Sequence, residues 1–181
     1  SRAFYWGATG IMFDGSLYDL EENIARTKQI VEFCGHAGIS VEGELGHIGS
    51  VNDESMDEFT NVEDAARFVK ETGVAALAVL IGNAHGRYKK PPKLDIQRVR
   101  DIYEATGHTP LVLHGGSGIP DDQIVEAVKA GMRKMNIGTD VCCAFAEGAK
   151  SELDNPKRSL APDMFMKPSI ASVKELALSK I

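Results

Sequence analysis

Two histidines at the ends of apolar runs are the residues with the clearest capacity for chemistry. His85 follows the run at 75–82, and His114 ends the run "LVLH". If both runs are neighbouring parallel strands, their carboxyl ends meet at one edge and the two rings share one space. Neutral imidazoles are good zinc ligands, and a catalytic zinc keeps one position open. Two histidines are one ligand short of such a site, and each could equally be a hydrogen-bonded strand-end residue.

Three acids lie at or near the ends of candidate strands. Asp14 follows "GIMF", and Glu42 and Glu44 lie two residues apart in "SVEGEL". Residues two apart in a strand point to the same side. Three roles remain open for these acids: holding a cation, orienting a histidine from behind, or pairing with an interior lysine or arginine.

Two glycine-containing turns follow the last two candidate strands. The first is Gly115-Gly116-Ser117-Gly118, and the second is Asn136-Ile137-Gly138-Thr139. Backbone N–H groups in such turns, and at the helix start that follows, can bind a phosphate. Barrel enzymes often place a phosphate site at their last two strands. Together with Lys89, the two turns favour a phosphorylated ligand.

The other three histidines show weaker signals. His47 lies in the polar segment 46–60, which has the length of a mobile lid or of a plain surface excursion, and we expect this ring to be exposed rather than ligating. His36 and His108 lie at helix ends, where a solvated or dipole-facing role is expected.

These residues are positioned by alternating strand and helix patterns. The apolar, β-rich runs are residues 10–14, 40–45, 75–82, 110–115 and 133–138. Helical periodicity or helix-end signals mark residues 18–38, 60–73, 94–107 and 119–131, and the second of these opens with a predicted capping box, Thr60 and Glu63. This order predicts an α/β fold with a parallel sheet. The sheet would be either open and doubly wound or closed into an eight-stranded barrel.

Composition limits the possible partners. The chain has 181 residues, 43% of them hydrophobic, which suits one domain spanning 1–181. A net charge of -6 and the lack of a basic block argue against nucleic acid or membrane partners. No apolar run of about 18 or more residues and no leader pattern is present, so a cytoplasmic location is expected. The three cysteines have neither metal-type nor disulfide-type spacing.

Several strand-end motifs together resemble one enzyme family. They are "GIMFDGS", "ENIARTKQIVEF", "SVEGELGHIG", "TGVAALAVLIGNAHGRYKKPPKLD", "PLVLHGGSGIPD" and "KMNIGTD". In this order, over about residues 7–145, the chain resembles the class II, zinc-dependent ketose-bisphosphate aldolases. The resemblance implies a (β/α)8 TIM barrel of which this chain supplies about strands four to eight, as one partial barrel domain. The family's third strand ends in an Asp-His pair, and no such pair occurs in these 181 residues.

The resemblance also implies a set of site residues. His85 and His114 would be zinc ligands, with Glu44 and Asp14 as acids near the metal. The dihydroxyacetone phosphate half of the substrate would be bound by Gly86, Lys89, Gly115, Gly116, Ser117, Asn136, Ile137, Gly138 and Thr139. A monovalent cation, Na⁺ or K⁺, is expected beside the glycine turns, and the family usually forms dimers or tetramers.

The implied reaction is the reversible cleavage of a fructose or tagatose 1,6-bisphosphate to dihydroxyacetone phosphate and glyceraldehyde 3-phosphate. Zinc would act as a Lewis acid that polarises the ketone. The family's proton-exchanging carboxylate on the mobile loop aligns with Asn52, so the sequence assigns no catalytic base. The segment Lys167-Pro168-Ser169-Ile170 also departs from the family's Lys-Pro-Ala-Arg.

Two other functions are alternatives to the aldolase reaction. The missing Asp-His pair and Asn52 suit a non-catalytic phosphate-binding or scaffold subunit descended from an aldolase. A doubly wound nucleotide-binding protein is disfavoured, because no Gly-x-Gly-x-x-Gly or Walker loop follows the first strand.

Overall fold

A computed structural model describes residues 2–48, 59–86, 88, 92–157, 159 and 161–180. Asn52 and Lys89, two positions that the sequence singled out, lie outside these ranges. The chain divides into two compact units, residues 1–136 and 137–181. The expectation of one domain over 1–181 stays a prediction.

The first unit alternates strands and helices around a five-stranded parallel sheet. Its strands are β1 (Gly10–Phe13), β2 (Ser40–Leu45), β3 (Ala76–Val79), β4 (Leu111–Leu113) and β5 (Met132–Met135). Its helices are α1 (Arg2–Tyr5), α2 (Leu20–Gly35), α3 (Val62–Thr72), α4 (Ile96–Ala105) and α5 (Asp121–Ala130). The strands lie in the sheet in chain order, β1-β2-β3-β4-β5, and every neighbouring pair is parallel. The predicted strands and helices of this unit are confirmed, while α1 was not predicted.

The two faces of the sheet carry different side chains. Leu77 of β3 and Leu111 of β4 are fully buried in the main core, together with Phe68 of α3 and Val99 of α4. The register pairs Glu44 with Ala78, Ala78 with Val112 and Val112 with Lys134, so these residues form a row across the sheet. Because direction alternates along a strand, this row lies on the face opposite to the leucines. The charged face is therefore separate from the apolar core.

The start of α3 differs from the predicted capping box, which is wrong. Asn61 is the N-cap, and its side chain accepts a hydrogen bond from the Asp64 N–H at 3.0 Å. The Thr60 hydroxyl donates to the Leu45 carbonyl at 2.6 Å and accepts from the Leu80 N–H at 2.8 Å. Thr60 therefore links the ends of β2 and β3 instead of capping the helix.

The second unit consists of helices α6 (Thr139–Leu153), α7 (Pro162–Phe165) and α8 (Lys167–Ser179). Helices α6 and α8 approach closely at Gly148, where a Cβ would lie 2.5 Å from the Ser169 backbone nitrogen. Within the part of the chain that the structure describes, no helix combines the length and the apolar character needed to cross a membrane.

Candidate active site

His114 lies at the end of β4, between two carboxylates of β2. Its ring is buried, with 4% of the residue exposed. Its Nε2 is 2.9 Å from Glu42 Oε1, and its Nδ1 is 3.3 Å from Glu44 Oε2. Both ring nitrogens therefore face a carboxylate oxygen, and the ring orientation is defined on two sides.

Small residues on the intervening strand make this contact possible. Strand β3 lies between β2 and β4, and neighbouring strands are about 4.8 Å apart, so the two outer strands are about 10 Å apart. At the register positions of Glu42 and Glu44, β3 carries Ala76 and Ala78. The short alanine side chains leave room for the glutamates and the histidine to meet above β3.

Glu42 has partners on both of its oxygens. Besides the contact with His114, its Oε2 accepts from Lys134 Nζ of β5 at 2.8 Å. Burial alone would raise the pKa of Glu42, but the hydrogen bonds from His114 and Lys134 outweigh it and hold the pKa below its ordinary value. Of the three roles left open by the sequence, Glu42 therefore fulfils two: it orients a histidine and pairs with a lysine.

Glu44 lies in a different electrostatic setting. Burial, and next the neighbouring Asp14 carboxylate, raise the pKa of Glu44 above its ordinary value. Asp14 itself accepts from the Ser16 hydroxyl at 2.6 Å and from the Ser16 N–H at 3.0 Å. The ends of β1 and β2 thus bring the Asp14 carboxylate near Glu44, which in turn contacts the His114 ring.

His47 corrects an expectation from the sequence. It is partly buried, and its Nδ1 lies 3.3 Å from the Ser16 hydroxyl, which links it to Asp14. We expected an exposed ring because His47 lies in a polar loop. A position in a loop does not show which side chains the residue will contact.

His36 and His108 lie at helix ends, as predicted. The Nδ1 atom of His36 lies 2.6 Å from the Glu32 carbonyl oxygen, and the Nε2 atom of His108 lies 3.0 Å from Glu104 Oε2.

His85 lies at the exposed rim of the same edge. Its ring centroid is 5.9 Å from that of His114, with the planes tilted by 57°. Partial burial of the ring, and next the neighbouring His114, lower the pKa of His85 below its ordinary value. A lowered pKa favours the neutral imidazole, which is the form that can bind a metal. The prediction that the two histidines share one space is confirmed.

Buried amides hold the backbone at two of the candidate ligands, Glu44 and His114. Asn23 of α2 donates to the Glu44 carbonyl at 2.9 Å, and Asn83 donates to the His114 carbonyl at 3.0 Å. Both asparagines are almost fully buried, at 1% and 2% exposure. The sequence pattern indicated no role for either asparagine. In the sequence, each asparagine is a polar residue with apolar residues nearby. That pattern does not reveal which group the side chain will bind.

The glycine turns are sites of close backbone approach. Gly115 has φ +62°, and a Cβ there would lie 2.1 Å from the Ala84 carbonyl oxygen. The Gly116 N–H donates to the Asn136 carbonyl at 3.0 Å, so this donor is already used. Ser117 is buried. The phosphate role of these residues stays a prediction, as it does for Gly86 and for the residues at the start of the second unit, Ile137, Gly138 and Thr139.

The donor set can be compared with what zinc requires. Among the described residues, no three His, Cys, Asp or Glu side chains converge as a metal site. The 3.3 Å between His114 Nδ1 and Glu44 Oε2 nevertheless matches two donors of one tetrahedral zinc, which stand about 3.3–3.5 Å apart given the usual Zn–N and Zn–O lengths. With the imidazole of His85 at the same edge, the donors fit part of a zinc site.

Comparison with known proteins agrees with this geometry. The sequence profile of the family "Fructose-bisphosphate aldolase class-II" matches residues 1–181. A 6-phospho-5-dehydro-2-deoxy-D-gluconate aldolase from Shouchella clausii (strain KSM-K16) is 39% identical over 177 residues, which cover 97% of this chain and 60% of that protein.

Solved structures give the same result. The YdjI aldolase from Escherichia coli K12 superimposes with a TM-score of 0.85 and 39% identity, covering 99% of this chain and 62% of that one. Fructose-bisphosphate aldolase from Campylobacter jejuni, at 24% identity, has a TM-score of 0.76 over 98% of this chain and 62% of that one, which shows the fold alone. The chain thus spans about 60% of the length of these relatives. The predicted TIM-barrel fold class is confirmed, and the chain belongs to the class II fructose-bisphosphate aldolase family.

Proposed function

We propose that this chain forms the metal-binding part of a class II aldolase that cleaves a ketose 1,6-bisphosphate reversibly to dihydroxyacetone phosphate and glyceraldehyde 3-phosphate. The observation that carries the proposal is the buried His114 ring between Glu42 and Glu44, at the strand edge that also bears His85. Family membership supports the aldolase class. As the family resemblance implies, we expect a cytoplasmic homodimer or homotetramer.

The metal of this proposal is Zn²⁺, held by His85 and His114, with Glu44 and Asp14 beside it. When bound, zinc supplies a Lewis acid that polarises the carbonyl of the ketose. The chain contributes a neutral His85, whose lowered pKa leaves a nitrogen lone pair available. Buried Glu44, held by Asn23 through its backbone, keeps a carboxyl group next to the His114 ring.

The phosphate next to the carbonyl would bind at the glycine turns. The proposed residues are Gly86, Lys89, Gly115, Gly116, Ser117, Asn136, Ile137, Gly138 and Thr139, with Na⁺ or K⁺ beside them. Thr139 is the first residue of α6, and backbone N–H groups at a helix start favour anions. Since the Gly116 N–H is used by Asn136, we expect Gly116 to line the phosphate site without donating to it, and the other N–H groups of these turns to contact the phosphate.

The name of one relative supplies a second candidate substrate. A 6-phospho-5-dehydro-2-deoxy-D-gluconate has, like a ketose 1,6-bisphosphate, a phosphate ester on the carbon next to its ketone. The two molecules differ at the other end. The gluconate derivative ends in a carboxylate, and the ketose 1,6-bisphosphate ends in a second phosphate. The residues proposed above would bind the shared end, so the proposal is compatible with either substrate.

Metal analysis combined with coupled aldol-cleavage assays tests the proposal. The substrates are fructose 1,6-bisphosphate, tagatose 1,6-bisphosphate and 6-phospho-5-dehydro-2-deoxy-D-gluconate, and His114→Ala is the control. We expect stoichiometric zinc, turnover of one of the three substrates, and loss of both in the variant. Zinc-loaded protein that binds phosphate but cleaves none of them would contradict the proposal and support a non-catalytic phosphate-binding role.

A further inference from the structure

Three strands contribute one continuous chain of contacts behind the His114 ring. Glu42 comes from β2, His114 follows β4, and Lys134 comes from β5. Glu42 Oε1 lies 2.9 Å from His114 Nε2, and Glu42 Oε2 lies 2.8 Å from Lys134 Nζ. Glu42 and His114 are only 9% and 4% exposed, so water competes little for the contact between them.

We propose that Glu42, anchored by Lys134, is a positioning residue that keeps the His114 proton on Nε2 and so presents the Nδ1 lone pair to the metal. The inference rests on the proposed function, because it takes His114 to be a metal ligand.

Hydrogen-bond chemistry gives the reason. A carboxylate offers acceptors only, and Glu42 at 2.9 Å from Nε2 is nearer to the ring than Glu44 at 3.3 Å from Nδ1, so we assign the single proton of the neutral ring to Nε2. A neutral imidazole has one N–H, which leaves Nδ1 with its lone pair. That nitrogen faces Glu44, the side on which the other candidate ligands lie. Metal-bound histidines commonly donate their second nitrogen to a carboxylate, which fixes the ring and its tautomer.

Lys134 determines how Glu42 is oriented. Its ammonium group is a donor only, so it requires an acceptor from Glu42. A carboxylate can serve Lys134 and His114 at the same time, because both of its ends accept. A glutamine at position 42 cannot, because it has one oxygen and one NH₂ group. If Lys134 takes the oxygen, the NH₂ group faces Nε2 and moves the His114 proton to Nδ1.

This asymmetry defines the experiment. Glu42→Gln, Lys134→Met and the double variant are compared with wild type in the full chain. The His114 tautomer is determined in zinc-free protein from long-range ¹H–¹⁵N NMR spectra, and zinc affinity is determined by competition with a chromophoric chelator. Glu126 and Lys129, an exposed pair at 2.9 Å without a histidine, supply the matched control, Glu126→Gln with Lys129→Met.

We expect Glu42→Gln to shift the proton to Nδ1 and to weaken zinc binding by about 10- to 100-fold. Substitution of residues that form hydrogen bonds with metal ligands commonly has an effect of this size. Adding Lys134→Met should restore part of the affinity, because the glutamine oxygen can then turn to Nε2. The control variants should match wild type. A Glu42→Gln protein with unchanged tautomer and zinc affinity would overturn the inference, and so would a double variant that binds zinc no better than the single one.

The Lys134→Met variant and the zinc-free wild-type protein provide two further tests. If Glu42→Gln does not fold, Lys134→Met alone should keep the proton on Nε2 with a smaller loss of zinc affinity, and a proton on Nδ1 would refute the role of Glu42. A wild-type protein that binds no zinc would reject the proposed function. The tautomer in zinc-free wild type would still decide the role of Glu42.

Discussion

The Asn83 side chain joins the end of β3 to the backbone of His114. Its amide NH₂ donates to the His114 carbonyl at 3.0 Å, and its oxygen accepts from the Ile81 N–H at 2.8 Å. Asn83 is 2% exposed, so water cannot readily replace either bond. The position of the histidine thus depends on a residue of the neighbouring strand end.

Asn83→Ala should lower the free energy of unfolding by about 2–3 kcal/mol, because it leaves a buried donor and a buried acceptor unpaired. Chemical denaturation measures the change. The matched control is Asn61→Ala at the exposed start of α3, for which loss of a cap costs about 1 kcal/mol. Equal effects of the two substitutions would contradict a special role for Asn83.

Gly115→Ala should destabilise the fold strongly. Its φ of +62° disfavours any L side chain, and the new Cβ would lie 2.1 Å from the Ala84 carbonyl oxygen. We expect a loss of about 3 kcal/mol or more from backbone strain and overpacking together. Gly35→Ala, with nothing within 4 Å of its Cβ, is the control and should be neutral or stabilising. Thermal unfolding of both variants checks this, and an unperturbed Gly115→Ala protein would refute the close approach.

Tyr88 should make stability depend on alkaline pH. Its hydroxyl accepts from the Ala84 N–H at 2.7 Å and lies 3.1 Å from the Gly115 carbonyl, and burial raises its pKa above the ordinary value of 10.0. The folded state prefers the neutral phenol, so this contribution is complete below about pH 10 and is lost as the pH rises towards the folded-state pKa.

Phenolate absorbance, recorded as the difference between wild type and Tyr88→Phe, should therefore titrate above pH 10 for this residue. Denaturation at several pH values should show that wild type loses stability more steeply than Tyr88→Phe. Parallel curves for the two proteins would contradict the assignment.

Ser169→Ala should leave the second unit as stable as before or more stable. The Ser169 hydroxyl is fully buried and is the one buried side-chain group without a hydrogen-bond partner in the described part of the chain. Removing it eliminates a desolvation cost of about 1–3 kcal/mol. Ser151→Ala is the control, because its hydroxyl donates to the Gly148 carbonyl at 2.8 Å. Calorimetry that shows a larger loss for Ser169→Ala than for Ser151→Ala would reverse the prediction.

The sequence predicted the elements and part of the site for clear physical reasons. Strand and helix periodicities are local, so the order of elements in the first unit followed from them. The convergence of His85 and His114 followed from parallel strands ending at one edge. The shared side of Glu42 and Glu44 followed from the two-residue period of a strand.

Other parts of the site depend on three-dimensional placement. Lys134 reaches Glu42 across two intervening strands, which requires the register of the whole sheet. Asn23 donates a hydrogen bond to the backbone of Glu44, which is 21 positions away in the sequence. Asn83 donates to the backbone of His114, which is 31 positions away. The hydroxyl of Thr60 forms hydrogen bonds with backbone groups at the ends of β2 and β3 rather than with its own helix. None of these pairings has a local sequence pattern.

The strand order of the sheet has a consequence for how the protein folds. Each strand pairs with the one made just before it, and partners such as Leu77 with Leu111, or Leu111 with Met132, are separated by a single helical connection. No strand has to enter between two that are already paired. The sheet can therefore grow in one direction while the ribosome extends the chain, with each new strand and helix docking on an edge already in place.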